Sequence, residues 1–192
     1  MILSPGALLR VGLLLLGAVV LQLSSLAGLR VLDGHADVVV LAVAAAALYG
    51  GSISGSATGF AAGLLLDLAS GQTIGVSSLV LTGIGYAVGR FRELRDPAHG
   101  LVPIAVGAAA TAGWVTAFAA VSFMLDIGVS VSPLLLRDML TTTLLNAVIA
   151  LPVFALCRRI LRPSLAVDPS AAGRRRRPPR DTGPLGLRGL EV

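Results

Sequence analysis

The sequence contains few side chains that could perform chemistry. Its only cysteine is Cys157, and its two histidines, His35 and His99, lie far apart in the chain. A single cysteine cannot form an intramolecular disulfide or a thiolate metal cluster. The glycine-rich segment at residues 50–55 is not followed by a Walker lysine, and the chain carries no HExxH motif and no nucleophile elbow. We therefore expect no catalytic residue, no metal and no cofactor, and the protein is predicted not to be an enzyme.

The most unusual single residue is Asp67, a carboxylate inside an apolar run. A charged side chain costs about 2.5–3.5 kcal/mol at the membrane centre on insertion scales, so it usually faces the interior of a bundle and has a partner. Two interpretations are open. In the first, Asp67 pairs with Arg137, which is predicted to lie at the same depth near the outer membrane surface, together with Asp138. In the second, Asp67 hydrogen-bonds to the turn at residues 71–73. A position near a helix end favours an anchor of that turn over a mid-membrane relay.

Glycines with a spacing of four residues mark the middle of the chain. They form two series, Gly55, Gly59 and Gly63, then Gly85 and Gly89. On a helix, residues four apart lie nearly above one another. In lipid, small residues at a helix crossing let two backbones approach closely. The pattern predicts a close-packing seam, either within this chain or with another membrane protein.

Composition places these residues in an all-α, polytopic integral membrane protein. Hydrophobic residues make up 55% of the 192 residues, charged residues only 13%, and the mean hydropathy is +0.88. Soluble domains carry about 25% charged residues. About six transmembrane helices are predicted, at residues 11–29, 38–49, 53–69, 76–91, 101–125 and 134–161. The first run has a competing interpretation as a signal peptide, because Ser25, Leu26 and Ala27 resemble a cleavage site.

The composition changes after residue 162. Residues 1–162 are predicted to form a transmembrane helical domain, and residues 163–192 are rich in arginine, proline and glycine. Such a segment cannot bury enough apolar surface to fold alone, so it is predicted to be a disordered cytoplasmic tail. Its basic block consists of Arg174, Arg175, Arg176 and Arg177. The block would either bind anionic membrane lipids, at about 1 kcal/mol per arginine near the surface, or remain solvated; a nucleic-acid partner is not expected.

The distribution of arginines predicts the orientation. If the N-terminus is cytoplasmic, only Arg30 and Arg137 fall on the outer side, and all other arginines fall at inner helix ends, inner loops or the tail. The positive-inside rule therefore favours a multi-pass protein of the plasma membrane with both termini in the cytoplasm.

Residues 59–90, GFAAGLLLDLASGQTIGVSSLVLTGIGYAVGR, resemble the family of the rod shape-determining protein MreD. Members of that family typically carry a Gly-Phe-x-x-Gly-Leu-x-x-Asp segment, a short turn, a Gly-x-x-x-Leu step and a Gly-Tyr-x-x-Gly-Arg ending. The corresponding residues here are Gly59, Phe60, Gly63, Leu64, Asp67, Gly75, Leu79, Gly85, Tyr86, Gly89 and Arg90. The tail falls outside the pattern.

The resemblance implies a small bacterial inner-membrane subunit of the elongasome, the machinery that elongates the peptidoglycan wall. It implies partners, namely MreC and, through MreC, the MreB cytoskeleton, the RodA glycosyltransferase and a class B penicillin-binding transpeptidase. It also implies a six-helix fold similar to the substrate-binding subunits of energy-coupling-factor transporters. No catalytic residue transfers, and Asp67 and the glycines carry over as motif positions only.

Two functions follow as hypotheses. The first is a non-enzymatic scaffold that acts in the regulation of cell shape and peptidoglycan synthesis through helix contacts. The alternative is a small-molecule, vitamin-type binding subunit of an energy-coupling-factor-like transporter, which should need a polar or aromatic-lined cavity. Besides five Phe, the only aromatic residues are Trp114, Tyr49 and Tyr86. That scarcity favours the scaffold, for which no small-molecule substrate is expected.

Overall fold

A computed structural model describes residues 5–23, 36–71, 73–94, 101–124 and 133–165, and all regular structure within these ranges is helical. The six helices are α1 (Pro5–Leu21), α2 (Val38–Gly50), α3 (Ser52–Ser70), α4 (Val76–Leu94), α5 (Val102–Met124) and α6 (Pro133–Leu165). Each overlaps one predicted apolar run, which confirms the all-α prediction. The ends differ at α1, which begins ahead of its predicted run, at α4, which continues past residue 91, and at α6, which continues past residue 161.

Within the described ranges, three helical stretches are long and apolar enough to cross a membrane, namely Ser52–Ser70, Val102–Val121 and Arg137–Leu161. Two further apolar stretches, Leu9–Leu21 and Val38–Gly50, are shorter. The 13 residues of α2 rise only about 20 Å, whereas the hydrocarbon core of a bilayer is about 30 Å thick. The chain is therefore a helical membrane protein, and the number of six spans stays a prediction.

Helix α2 lies at the centre of the bundle. Every residue from 38 to 48 is buried, and α2 packs against all five other helices. Its sequence, VVVLAVAAAALYG, is apolar on every side, so no polar face has to point away from the bundle interior. Its alanines let the neighbouring helices come close, which favours packing on all sides.

Helices α3 and α4 form the most extensive pair in the bundle. They are antiparallel, because the start of α3 lies beside the end of α4 and the end of α3 lies beside the start of α4. Large apolar side chains such as Leu79 and Val148 are 66% and 73% exposed on the outside of the bundle. An outer surface of this kind suits contact with lipid rather than water.

Several predictions fall on residues outside the described ranges. They concern the two histidines, His35 and His99, and the residues from 166 onward, which are predicted to form a disordered tail. That segment includes the four consecutive arginines Arg174, Arg175, Arg176 and Arg177. The described part of the predicted tail begins as helix, since α6 ends at Leu165.

Candidate functional site: a glycine seam and three polar contacts

The glycines spaced four residues apart lie where α3 crosses α4. A Cβ atom added at Gly55 would overlap the carbonyl group of Gly85, and one added at Gly85 would overlap the carbonyl group of Gly55. The two backbones are therefore in direct contact, which only glycine permits at both positions. The close approach gains van der Waals contact, the main source of helix association in lipid.

The other three glycines of the series make the same kind of contact. A Cβ at Gly59 would overlap the Leu81 carbonyl, one at Gly63 the backbone of Ser78, and one at Gly89 the backbone of Ser52. Both sequence series thus face each other across one interface. The seam is filled by the chain's own helices, so these glycines are not open to another protein in this structure.

Asp67 is buried at the end of this seam where α3 meets the turn to α4, with 1% of its surface exposed. Its Oδ2 atom accepts a hydrogen bond of 2.7 Å from the backbone N–H of Gly75. Its Oδ1 atom has no hydrogen-bond partner among the described residues. The carboxylate therefore spans the turn between α3 and α4. Its partner, Gly75, lies two positions after the predicted segment at residues 71–73.

The turn itself depends on glycine. Gly71 ends α3 in the left-handed conformation at φ 67°, and its N–H donates to the Asp67 carbonyl. Gly75 has φ 105°, which also places it in the region that side chains disfavour. Asp67 thus stabilises a turn whose backbone conformation requires its two glycines.

Arg137 and Asp138 lie in the first turns of α6. Arg137 is exposed and Asp138 is half-buried. Helix α6 packs against α5, α2 and α1, whereas α3 packs mainly against α4, α2 and α1. The pairing of Asp67 with Arg137 stays a prediction.

A buried polar junction joins α1, α2 and α6, and the sequence interpretation missed it. The backbone N–H of Asp37 donates to Asn146 Oδ1 at 3.1 Å, and the N–H of Val39 donates to Gln22 Oε1 at 2.9 Å. Gln22 Nε2 also donates to Asp37 Oδ1 at 3.2 Å. A backbone N–H can only donate, so the oxygen of Asn146 must face Asp37.

These bonds satisfy the start of α2, where the first-turn N–H groups have no partner within the helix. Asp37 is 3% exposed and Asn146 is completely buried, so an unpaired donor there would be costly. One signal for the junction was present in the sequence: Asn146 is the only strongly polar residue between Leu144 and Cys157. Its partners could not be identified, because 109 residues separate it from Asp37.

A third polar contact closes the opposite end of the α3–α4 pair, where α4 ends beside the start of α3. Glu93 Oε1 accepts from the Ser52 hydroxyl at 2.6 Å and from the Ser52 N–H at 2.9 Å. Its other oxygen forms an ion pair with Arg90 at 3.1 Å. The two bonds from Ser52, followed by the contact with Arg90, lower the pKa of Glu93 to about 2. Glu93 therefore caps the N-terminus of α3 from the end of α4.

One apolar groove of about 420 Å³ runs along the outside of the bundle between α4 and α5. Its lining consists of Ile84, Ala87, Val88, Phe91, Ala105, Val106, Ala109, Ala110 and Gly113. Small-molecule sites usually add a few placed polar groups to such an apolar lining, and this lining has none.

The remaining chemistry-bearing residue, Cys157, is buried in α6. Within the described ranges, no three His, Cys, Asp or Glu side chains are grouped to hold a metal ion. At the three polar contacts described above, the side chains of Asp67, Asn146 and Glu93 bond to backbone groups.

Comparison with known proteins identifies one family and no individual relative. Residues 7–160 match the family described as rod shape-determining protein MreD. No curated protein matches the chain, and no solved structure does. The match extends from α1 almost to the end of α6 and includes the seam, Asp67 and the polar junction. The chain therefore belongs to the family of the rod shape-determining protein MreD.

Proposed function

We propose that this protein is a non-enzymatic scaffold of the cell-wall elongation machinery in the bacterial plasma membrane. Membership of the MreD family gives it a role in rod shape determination, and the family match over residues 7–160 is the observation that carries the proposal. In this role the protein regulates cell shape and peptidoglycan synthesis through contacts with other membrane proteins.

The described contacts support a structural role. The polar side chains at the three sites bond to backbone groups: Asp67 to Gly75, Asn146 to Asp37, and Glu93 to Ser52. Each bond joins two helices or closes a turn between them. A scaffold needs this use of polar groups, since it must present fixed surfaces to its partners.

The proposed partners are those of the family. MreC binds directly, and MreB, RodA and a class B penicillin-binding transpeptidase associate through it. Membrane lipids surround the bundle, and the basic block of the tail contacts anionic headgroups at the cytoplasmic face. Both termini are cytoplasmic in this proposal.

Affinity capture of the full chain from native membranes tests the proposal. We expect MreC and the transpeptidase to be recovered, and a Gly83→Ala variant, whose added methyl group meets no neighbouring atom, to recover them equally. Rod shape should also return when the chain is expressed in cells depleted of their own family member. Recovery of an energy-coupling ATPase pair without MreC or the transpeptidase would overturn the scaffold and favour the transporter subunit.

A further inference from the structure

Along residues 38–48, the central helix α2 has no polar side chain that could hold it in one position. Its residues 38–48 are all apolar and all buried. A small rotation or a shift along the axis would exchange one apolar side chain for another, mostly valine or alanine, along this stretch. Because lipid is as apolar as these side chains, hydrophobicity alone discriminates weakly among positions of α2.

Directional contacts are present at the start of α2. The N–H groups of Asp37 and Val39 donate to Asn146 on α6 and to Gln22 at the end of α1. Each acceptor meets one particular N–H group, and the two acceptors approach from different helices. A shift of α2 by one residue would move both N–H groups away from these acceptors. At Asn146 and Asp37, which are 0% and 3% exposed, water could not readily take the place of the lost partner.

We propose that Gln22 and Asn146 form a latch that sets the register of α2, meaning its axial position and its rotation within the bundle. A single buried polar residue can specify register in this way in helical assemblies. The latch is a separate property from stability, because an apolar side chain at either position would still fill the core.

The native cysteine offers a direct readout of register. At the other end of α2, the ring of Tyr49 packs against Phe154 with centroids 6.5 Å apart, and its hydroxyl donates to the Phe154 carbonyl at 3.5 Å. Cys157 follows Phe154 by three residues on α6, which places it about one helical turn away on the same side. Cysteine is placed in turn at Ala46, Leu48 and Tyr49, and formation of a disulfide between each new cysteine and Cys157 is measured by alkylation and mass spectrometry. In the native register we expect Tyr49→Cys to give the highest yield of the three.

The three scanning variants are then combined with Asn146→Leu and, separately, with Gln22→Leu. We expect the yield to spread to the neighbouring positions, changing the ratio of yields about threefold, as loss of one interhelical hydrogen bond in a membrane protein predicts. Thr111→Val is the matched control. Thr111 is fully buried, but its hydroxyl donates to the Gly107 carbonyl of its own helix, so the ratio should stay unchanged.

Folding of each variant is followed separately by the fluorescence of Trp114 during thermal unfolding. Gln22 is only half-buried, so Gln22→Leu keeps the test valid if Asn146→Leu does not fold. The latch is refuted if every folded variant retains the native ratio of yields, even when it unfolds at a lower temperature, because the contacts would then contribute stability alone.

Discussion

At the scale of single residues, Asp67 carries the clearest consequence. Its Oδ2 atom is the acceptor for the Gly75 N–H in a buried turn. Asp67→Ala should lower the free energy of unfolding by about 2 kcal/mol, because that N–H would be left without an acceptor. Asp67→Asn should lose less, since its carbonyl oxygen can still accept the bond. Denaturant unfolding in detergent measures both, and an Asp67→Ala variant as stable as the parent would contradict the anchoring role.

The predicted pairing of Asp67 with Arg137 has its own test. If the two charges interact, the double variant Asp67→Arg with Arg137→Asp should be more stable in detergent than either single variant, because the double swap restores opposite charges. The comparison uses the melting temperatures of the two single variants and the double variant. A double swap that rescues nothing rules out the pair.

Glu93 predicts a dependence on pH. Its pKa is lowered to about 2 in the folded protein, against an ordinary value near 4.5. A lowered folded-state pKa means that its contribution to stability is complete above pH 4.5 and is lost as the pH falls toward 2. Between pH 5 and about pH 2.5, we expect the melting temperature of the Glu93→Gln variant to fall less than that of the parent protein. Identical pH profiles for parent and variant would show that Glu93 does not hold the start of α3.

At the scale of the elements, the α3–α4 pair depends on backbone contact. Gly85 and Gly83 are two residues apart on the same helix but differ in surroundings. A methyl group at Gly85 would overlap Gly55, whereas one at Gly83 meets nothing within 4 Å. Gly85→Ala should therefore cost about 1–3 kcal/mol through forced separation of the helices. Gly83→Ala should be neutral or stabilising by up to about 1 kcal/mol, because alanine favours the helix.

Thermal unfolding of the two variants in the same detergent checks this prediction. The comparison is internally controlled, since both variants add the same methyl group to α4. Equal stability of the two would mean that the seam can open without cost. The interface would then have to be held by the polar contacts at its two ends, Asp67 with Gly75 and Glu93 with Ser52.

The helices also differ in how they are held. Helix α3 is fixed along its length by glycine contacts and at each end by a carboxylate. Helix α2 is fixed by being surrounded, with directional contacts concentrated at its ends. Substitutions along the middle of α2 should consequently change stability according to the side-chain volume that they add or remove. Substitutions at Gln22 or Asn146 should instead change the position of α2 within the bundle.

At the scale of the whole molecule, orientation in the membrane is the main prediction. The positive-inside rule places both termini in the cytoplasm and the start of α6 outside. A fluorescent protein fused after residue 192 should therefore be bright, and alkaline phosphatase fused there should be inactive. In a Cys157→Ala background, Arg137→Cys should react with a membrane-impermeant maleimide added to intact cells. The reverse pattern would invert the topology.

The sequence by itself determined the approximate positions of the six helices in the described part of the chain, because a long apolar run is a local property. It also identified the glycine positions and Asp67, since spacing and an isolated charge can be recognised without knowing a partner. The MreD resemblance in residues 59–90 rested on the same short-range pattern. It was confirmed over a much larger part of the chain, residues 7–160.

Only the tertiary structure decided which surfaces meet. It showed that Gly55 faces Gly85, that α2 is the centre, and that Asn146 reaches Asp37 across 109 residues. The physical reason is that lipid is as apolar as leucine, so hydrophobicity marks a helix as membranous without choosing its neighbours. That choice depends on backbone proximity and on hydrogen bonds between residues distant in sequence, and both exist only once the helices have packed.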